Sequence, residues 1–401
     1  MKLRYIDADD MIYVTLLMCL EKVIIMGEGF NNMEVKRRNR KAVFTALLAH
    51  EEMTKPELSM QLQLSLPTVG VICDELLKEG LIEQTGMKAS GGGRRAMKYR
   101  AVTDEMIAGG IDITRNNVYF TYLNLKGQML AGERFHFPFE DSESYIQEMK
   151  ERFRRFTDEN QLNNRRRIGT GVSVAGVVRA DYRGITRSHV LNLDRYCKLN
   201  RLPEEAGEEE VLFFNDADAA CMAECYWGKA PDSFVFLALS NTVGGATVIG
   251  NRIAKGKNGR GGEFGHVLLV PGGRSCYCGL KGHYDPYGSA LNLTKISGGS
   301  MPRFFELVEG RDEKATGVFE SYLRYLSMMV YNIHVSTDLP VILGGYVGSY
   351  LKPYLGRIRD LVGEQNLFQE KEEYVFCCEY AVEASAVGAA GYFVRTFTDQ
   401  I

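Results

Sequence analysis

Gly262-Glu263-Phe264-Gly265-His266, followed ten residues on by Cys276-Tyr277-Cys278-Gly279-Leu280-Lys281-Gly282-His283, is the stretch on which the reading of this chain turns. Cys276 and Cys278, with His283 five residues later and His266 ten residues earlier, offer two thiolates and two imidazoles. That is the tetrahedral N/S set Zn²⁺ prefers in closed structural sites. The spacing therefore predicts a structural Zn²⁺ held by His266, Cys276, Cys278 and His283. Because protein fills all four positions, no open coordination site remains for Lewis-acid chemistry. Glycines at 272, 273, 279 and 282 let the backbone fold tightly enough to bring such ligands together. The competing reading is two reduced cysteines in a Gly-rich loop.

Around this stretch lies a chain of 401 residues, long enough for two or three domains, with 45% hydrophobic and 25% charged residues. That composition excludes a disordered or fibrous protein. Nine cysteines, an odd number, point to reduced thiols in the cytoplasm rather than a disulfide framework. Charge is uneven: Met33 to Arg100 carries 12 Lys/Arg against 8 Asp/Glu, while the whole chain has a net charge of −3. A basic module is joined to an acidic body.

Residues 1–32 read as a separate N-terminal extension. Met11 to Met26 is mostly apolar, but Glu21 and Lys22 interrupt it and Asp7, Asp9 and Asp10 precede it. It is too short to span a bilayer and has the wrong flank for a targeting signal, so no membrane partner is expected.

The basic module, residues 33–100, reads as a winged helix-turn-helix. A first helix is expected from Lys41 to Leu48, after a basic lead-in, Lys36-Arg37-Arg38-Asn39-Arg40. Thr54-Lys55-Pro56-Glu57 has the form of a capping box for a short second helix that turns Leu58 and Leu62 inward. Ser65 is the expected N-cap of a third, whose apolar face is Val69, Ile72, Cys73, Leu76 and Leu77 and whose C′ residue is Gly80. This would be the recognition helix, with Ser65, Pro67, Thr68, Gly70 and Val71 near its N-terminal half as candidate DNA contacts. Leu81-Ile82-Glu83 and Lys98-Tyr99-Arg100 read as paired strands, with Gly91-Gly92-Gly93-Arg94-Arg95 as the tip of a wing. Arg94 and Arg95 suit phosphate or minor-groove contact. A small helical interaction domain with a solvated basic tip is the plainer alternative.

The body carries an internal echo. Gly110 to Ile113 and Val118 to Leu123 read as a hairpin around Thr114 to Asn117; Phe234 to Leu239 and Ala246 to Ile249 repeat the plan around Asn241-Thr242-Val243-Gly244-Gly245. Helical stretches, Ala217 to Tyr226 and Glu320 to Ile333, lie between strands. A duplicated α/β fold with a cleft between its halves is expected. Asn215-Asp216-Ala217 follows the apolar strand Val211 to Phe214, which suits Asp216 either to a general-base role at a strand end or to a plain helix cap.

These motifs resemble the ROK family, which joins sugar kinases and sugar-responsive repressors and reads Gly-Glu-x-Gly-His, then Cys-x-Cys-Gly-x-x-Gly-Cys-x-Glu. In this chain His283 takes the place of the third cysteine and Asp285 that of the closing glutamate. The resemblance runs from Met106 to the C-terminus, and residues 33–100 further resemble the DNA-binding domain of the repressor branch. It implies a two-lobed actin-like, ribonuclease H-like body, with lobes at 106–230 and 231–401. It also implies sugar-binding roles for Asn215, Asp216, Glu263, His266 and Asp285, with Asp216 catalytic only if kinase activity persists.

The first hairpin turn departs from the family's Asp-x-Gly-Gly-Thr, reading Asp112-Ile113-Thr114-Arg115-Asn116. Both glycines are gone, which counts against ATP binding; Gly244-Gly245 and Leu343-Gly344-Gly345 retain theirs. Ser173-Val174-Ala175-Gly176 stands where the family has a Val-Pro-Gly turn at the sugar pocket. The expectation is a cytoplasmic, sugar-responsive repressor, a homodimer or higher homo-oligomer whose partners are operator DNA and a small sugar. An ATP-dependent sugar kinase with a fused DNA-binding domain is the alternative. A body that only docks another protein is a third reading.

Overall fold

The computed structural model describes residues 32–87, 96–205, 209–257, 260–365 and 374–401. Arg94 and Arg95, and the extension up to residue 31, lie outside the described residues. Two compact units emerge, one reaching Val102 and taking in Thr398–Ile401, the other Thr103–Phe397.

In the first unit, α1 (Asn32–Ala49), α2 (Lys55–Leu62) and α3 (Leu66–Lys78) are joined to a sheet of β1 (Met53–Thr54), β2 (Ile82–Met87) and β3 (Met97–Ala101). The capping box forms as the sequence predicts: the Thr54 hydroxyl accepts from the Glu57 amide, and Glu57 accepts from the Thr54 amide at 2.8 Å. Ser65 caps α3, accepting from the Thr68 amide at 3.2 Å, and Gly80 follows the helix at φ 72°, a left-handed stop. Val43, Phe44, Leu47, Leu58, Val69, Ile72, Cys73 and Leu76 are buried. β2 and β3 pair antiparallel, and β1 adds a short third strand, Met53 opposite Tyr99.

One expectation fails here. The basic lead-in is not a separate segment but the first half of α1, and Lys36 pairs with Glu75 of α3 at 2.6 Å while Arg40 pairs with Glu79 and Glu75. Neither Gly nor Pro interrupts residues 32–49, so the helix extends to where its cations meet the acidic face of α3.

The second unit holds two sheets of the same plan. The first has β4 (Met106–Ile113) at its centre, antiparallel to β5 (Asn117–Asn124), which pairs with β6 (Met129–His136). On the other side, β4 runs parallel to β7 (Arg166–Val174), and β7 to β11 (Val211–Asn215). A small sheet of β8 (Val177–Val178), β9 (Ile185–Ser188) and β10 (Leu193–Asp194) is inserted between them.

The second large sheet repeats this order. β12 (Phe234–Leu239) is antiparallel to β13 (Val243–Ile249), which pairs with β14 (Arg252–Ile253); β12 is parallel to β15 (Val341–Gly344), and β15 to β16 (Val375–Cys377). Helices cover both, among them α4 (Glu143–Glu159), α5 (Asp216–Trp227), α6 (Asp285–Gly288), α7 (Glu313–Thr337) and α8 (Ala384–Gln400). The duplication is the two-lobed actin-like architecture. Val387, Ala389, Ala390 and Phe393 of α8 share a core with Ala108 and Leu123 of the first sheet, so the last helix of the chain packs on the first lobe.

The second hairpin corrects the sequence reading. Val243, Gly244 and Gly245 are not the turn; they lie in β13, opposite Leu239, Ala238 and Leu237. The reason is close approach: a Cβ on Gly245 would lie 2.3 Å from the Phe236 carbonyl oxygen and 2.6 Å from the Phe264 ring. This glycine serves the packing of the strand. Among the described residues no helix is long and apolar enough to cross a membrane.

Candidate functional site

The Gly-rich loop after β14 is held by its own backbone. Cys276 donates its amide to the Leu280 carbonyl at 2.8 Å, Gly279 to Cys276 at 3.0 Å, and Gly282 to Arg274 at 2.9 Å. Gly279 and Gly282 sit at φ 92° and 83°, and a Cβ on Gly282 would come within 2.1 Å of the Val270 carbonyl oxygen. These turns bring the four candidate ligands together, with one ligand atom from each of His266, Cys276, Cys278 and His283 within 4.8 Å of the others.

Three edges of this cluster match those of a zinc tetrahedron. His266 Nδ1 lies 3.3 Å from His283 Nδ1, Cys276 Sγ lies 3.8 Å from His266 Nδ1, and Cys278 Sγ 3.3 Å from His283 Nδ1. Zn–N and Zn–S bonds of about 2.0 and 2.3 Å at tetrahedral angles require N···N near ~3.3 Å and N···S near ~3.6 Å. The donor set, two imidazoles and two thiols, suits Zn²⁺ rather than a hard cation. His283, in place of the family's third cysteine, still brings its Nδ1 within reach of His266 and Cys278. All eight described cysteines are free thiols.

The arrangement also separates the two nitrogens of His266. Nδ1 faces the sulfurs, so Nε2 is turned away from them. There it meets the Tyr277 hydroxyl at 3.0 Å and Glu263 Oε2 at 3.9 Å. Tyr277, whose signal was an aromatic held between the two cysteines, also lies 6.3 Å from the ring of His189, which follows β9 in the first lobe. Side chains of both lobes thus converge at this mouth.

Elsewhere in the body, β11 ends and α5 begins. Asn215, not Asp216, is the N-cap: its Oδ1 accepts from the amides of Ala217 and Asp218, both at 3.0 Å, and its Nδ2 donates to the Gly176 carbonyl at 3.0 Å. The cap explanation for Asp216 therefore falls, because that role is already filled. Asn215 instead ties α5 to the turn after β7. Asp216 opens the helix as its first residue, and burial followed by the charge of Asp112 pushes its carboxyl up to about 7.

Asp112, near the end of β4, is itself pushed up to about 6 by burial, against the Ser173 hydroxyl and Arg134 that favour its ionised form. Asp218, unremarked in the sequence reading, is raised by burial against the pull of Lys255, whose ammonium lies 3.6 Å away. Asp285 is buried at the start of α6, and its Oδ1 accepts the Val243 amide at 2.7 Å. The family's glutamate position is thus occupied by a carboxylate that anchors the hairpin turn between β12 and β13.

The first hairpin turn is tied by its own side chains. Thr114 accepts from the Asn117 amide at 3.1 Å and donates to the Asn117 carbonyl at 2.8 Å, completing the turn with its own side chain. Arg115 donates to the Val190 carbonyl at 2.9 Å.

Of the residues read as DNA contacts, Pro67 is exposed on the first turn of α3, Gly70 has nothing within 4 Å of its Cβ position, and Ser65 and Thr68 hydrogen-bond each other through their hydroxyls at 2.7 Å.

Residues 108–395 match the model of the ROK family. The DNA-binding transcriptional dual regulator NagC of Escherichia coli strain K12 is 26% identical over 385 residues, covering 92% of this chain and 95% of that protein. The xylose repressor of Bacillus subtilis strain 168 is 24% identical over 265 residues, 65% of this chain and 68% of the repressor. A crystal structure of a ROK family transcriptional regulator, a homolog of the E. coli MLC protein, superposes with a TM-score of 0.73 at 18% identity, covering 91% of this chain and 97% of that one.

Proposed function

This chain belongs to the ROK family, and from that premise we propose that it is a sugar-responsive transcriptional repressor that binds operator DNA through residues 33–100 and a small sugar in the cleft of its body. The observation that carries the reading is the union, in one chain, of a capped helix-turn-helix unit with strands for a wing and a body that keeps its sugar-side residues while closing its nucleotide-side turn. Relatives named as a DNA-binding regulator and a xylose repressor support it. The protein acts in the cytoplasm as a homodimer or higher homo-oligomer, since paired half-sites are read by paired modules.

In this reading Glu263, His266 Nε2 and Asp216 meet sugar hydroxyls, each of which would cost ~1–3 kcal/mol if stripped of water without a partner. Asn215 and Asp285, whose side chains are engaged by backbone amides, act by position: one fixes the start of α5, the other the β12–β13 turn. Zn²⁺, held by His266, Cys276, Cys278 and His283, supplies structural cross-linking only. By holding Nδ1, it would fix the His266 ring so that Nε2 presents to the ligand. Sugar then favours one closure of the lobes, and the shift in population changes the spacing of the paired DNA-binding units.

A gel-shift series against random genomic fragments at moderate salt tests this. Retention of particular fragments, reversed by one sugar of a pentose, hexose and N-acetylhexosamine panel, is expected; uniform weak binding that no sugar alters would refute it. A second reading, residual phosphoryl transfer, is favoured by Asp216, since a carboxyl raised to about 7 suits a general base. Release of ADP that Asp216→Asn abolishes would establish it.

A further inference from the structure

The outward face of α3 is unusual for a helix that enters the major groove. Its inward side is Val69, Ile72, Cys73 and Leu76. Facing solvent are Leu66 and Val71, 50% and 56% exposed, together with Pro67, and none of the three carries a side-chain donor or acceptor. Gly70, between them, has no side chain and nothing within 4 Å of where a Cβ would stand.

The polar groups on this face are engaged. Ser65 Oγ accepts the Thr68 amide and is hydrogen-bonded to Thr68 Oγ1, so the two hydroxyls keep one uncommitted O–H between them. Asp74, one turn on, is paired with Lys55 at 2.8 Å.

Bidentate reading of guanine requires Arg or Lys, and of adenine Asn or Gln. The exposed first turns of α3 hold none of these, from Ser65 through Asp74. What an apolar helix face can read in the major groove is the one apolar group displayed there, the C5 methyl of thymine. We propose that α3 selects its operator by packing Leu66, Pro67 and Val71 against thymine methyls, with Gly70 allowing close approach to the groove floor. This makes the preferred half-site rich in A·T pairs under the helix. The inference deepens the operator-binding reading and rests on it.

The wing could also favour A·T pairs, through a narrow minor groove, so base composition alone does not separate the two sources. The methyl does, because it projects only into the major groove. The full-length protein is first used to enrich duplexes from a random library. The enriched duplex is then remade with deoxyuridine in place of thymidine, position by position, which removes the methyl and leaves every hydrogen-bonding edge.

Loss of about fourfold in affinity for each contacted methyl is expected, at adjacent positions of each half-site and nowhere else. Val71→Ala, at an exposed position, should keep its melting temperature and lose sensitivity to one of those uridines. Val71→Gln should shift the preference there towards adenine. Enrichment of a sequence whose affinity is indifferent to uridine overturns the inference while leaving operator binding intact. Enrichment of no sequence overturns both. A change of oligomeric state in Val71→Ala without a change in uridine sensitivity assigns the face to protein contact and likewise overturns it.

Discussion

The two lobes of the body open with hairpins of the same topology, yet the two hairpins are built from opposite materials. In the first, a threonine hydroxyl closes the turn and an arginine reaches across to the Val190 carbonyl. In the second, the paired glycines lie within the strand, where Gly245 leaves room for the Phe236 carbonyl and the Phe264 ring, and the turn is pinned from outside by Asp285. The loop at residues 262–283, by contrast, gathers four candidate ligand atoms and turns one imidazole nitrogen outward. The comparison teaches that glycines in corresponding places need not serve the same end.

The strongest way to sharpen this contrast is to remove the metal site. Chelation, or His283→Ala, is expected to lower sugar affinity by about tenfold or more and to depress the melting temperature, because the loop that presents His266 loses its cross-link. Calorimetry and thermal melts on metal-loaded and stripped protein check it. Unchanged sugar affinity in the stripped protein would detach the loop from the ligand.

Next is Gly245→Ala. The added methyl meets a carbonyl oxygen and a phenyl ring, so a loss of ~1–3 kcal/mol in denaturant unfolding is expected with no ligand present. A neutral result would return this glycine to a role in ligand approach.

Third is the response to pH. Asp112 and Asp216 are raised by burial to about 6 and about 7, above the ordinary carboxylate range. Folding therefore favours their protonated forms. Their stabilising contribution is complete below the usual carboxylate pKa and is lost as pH rises through about 6 to 7. The body should melt lower at pH 8 than at pH 5, and Asp112→Asn should recover on the order of 2 kcal/mol at the higher pH. Equal gains at both pH values would contradict the assignment.

The smallest effect is expected from Arg115→Ala. It removes one exposed hydrogen bond to the Val190 carbonyl, worth ~0.5–1.5 kcal/mol at most, and tests whether that side chain alone bars an anion from the first turn.

Much of this was legible in residues that act locally. The Thr54 and Ser65 caps, the Gly80 stop and the His–Cys cluster each depend on neighbours a few positions away, so spacing alone announced them. What was hidden depends on distant partners. The two-residue strand Met53–Thr54 exists because Tyr99 and Lys98 lie beside it. Polar Lys36 to Arg40 joins α1 because Glu75 and Glu79 wait on α3. Gly245 looked like part of a turn because the groups that require it, the Phe236 carbonyl and the Phe264 ring, are nine and nineteen positions away in sequence. The bond from Asn215 Nδ2 to the Gly176 carbonyl, and the approach of Tyr277 to His266 Nε2, are facts of geometry that no local pattern carries.

The central claim is that the body has kept a saccharide pocket and closed its nucleotide cradle. It is tested most directly by titrating the zinc-loaded protein, in separate calorimetry runs, with a sugar panel and with ATP and magnesium. The account predicts saturable heat from at least one sugar, lost in Asp216→Asn, and none from the nucleotide. Saturable nucleotide binding with no response to any sugar would contradict it.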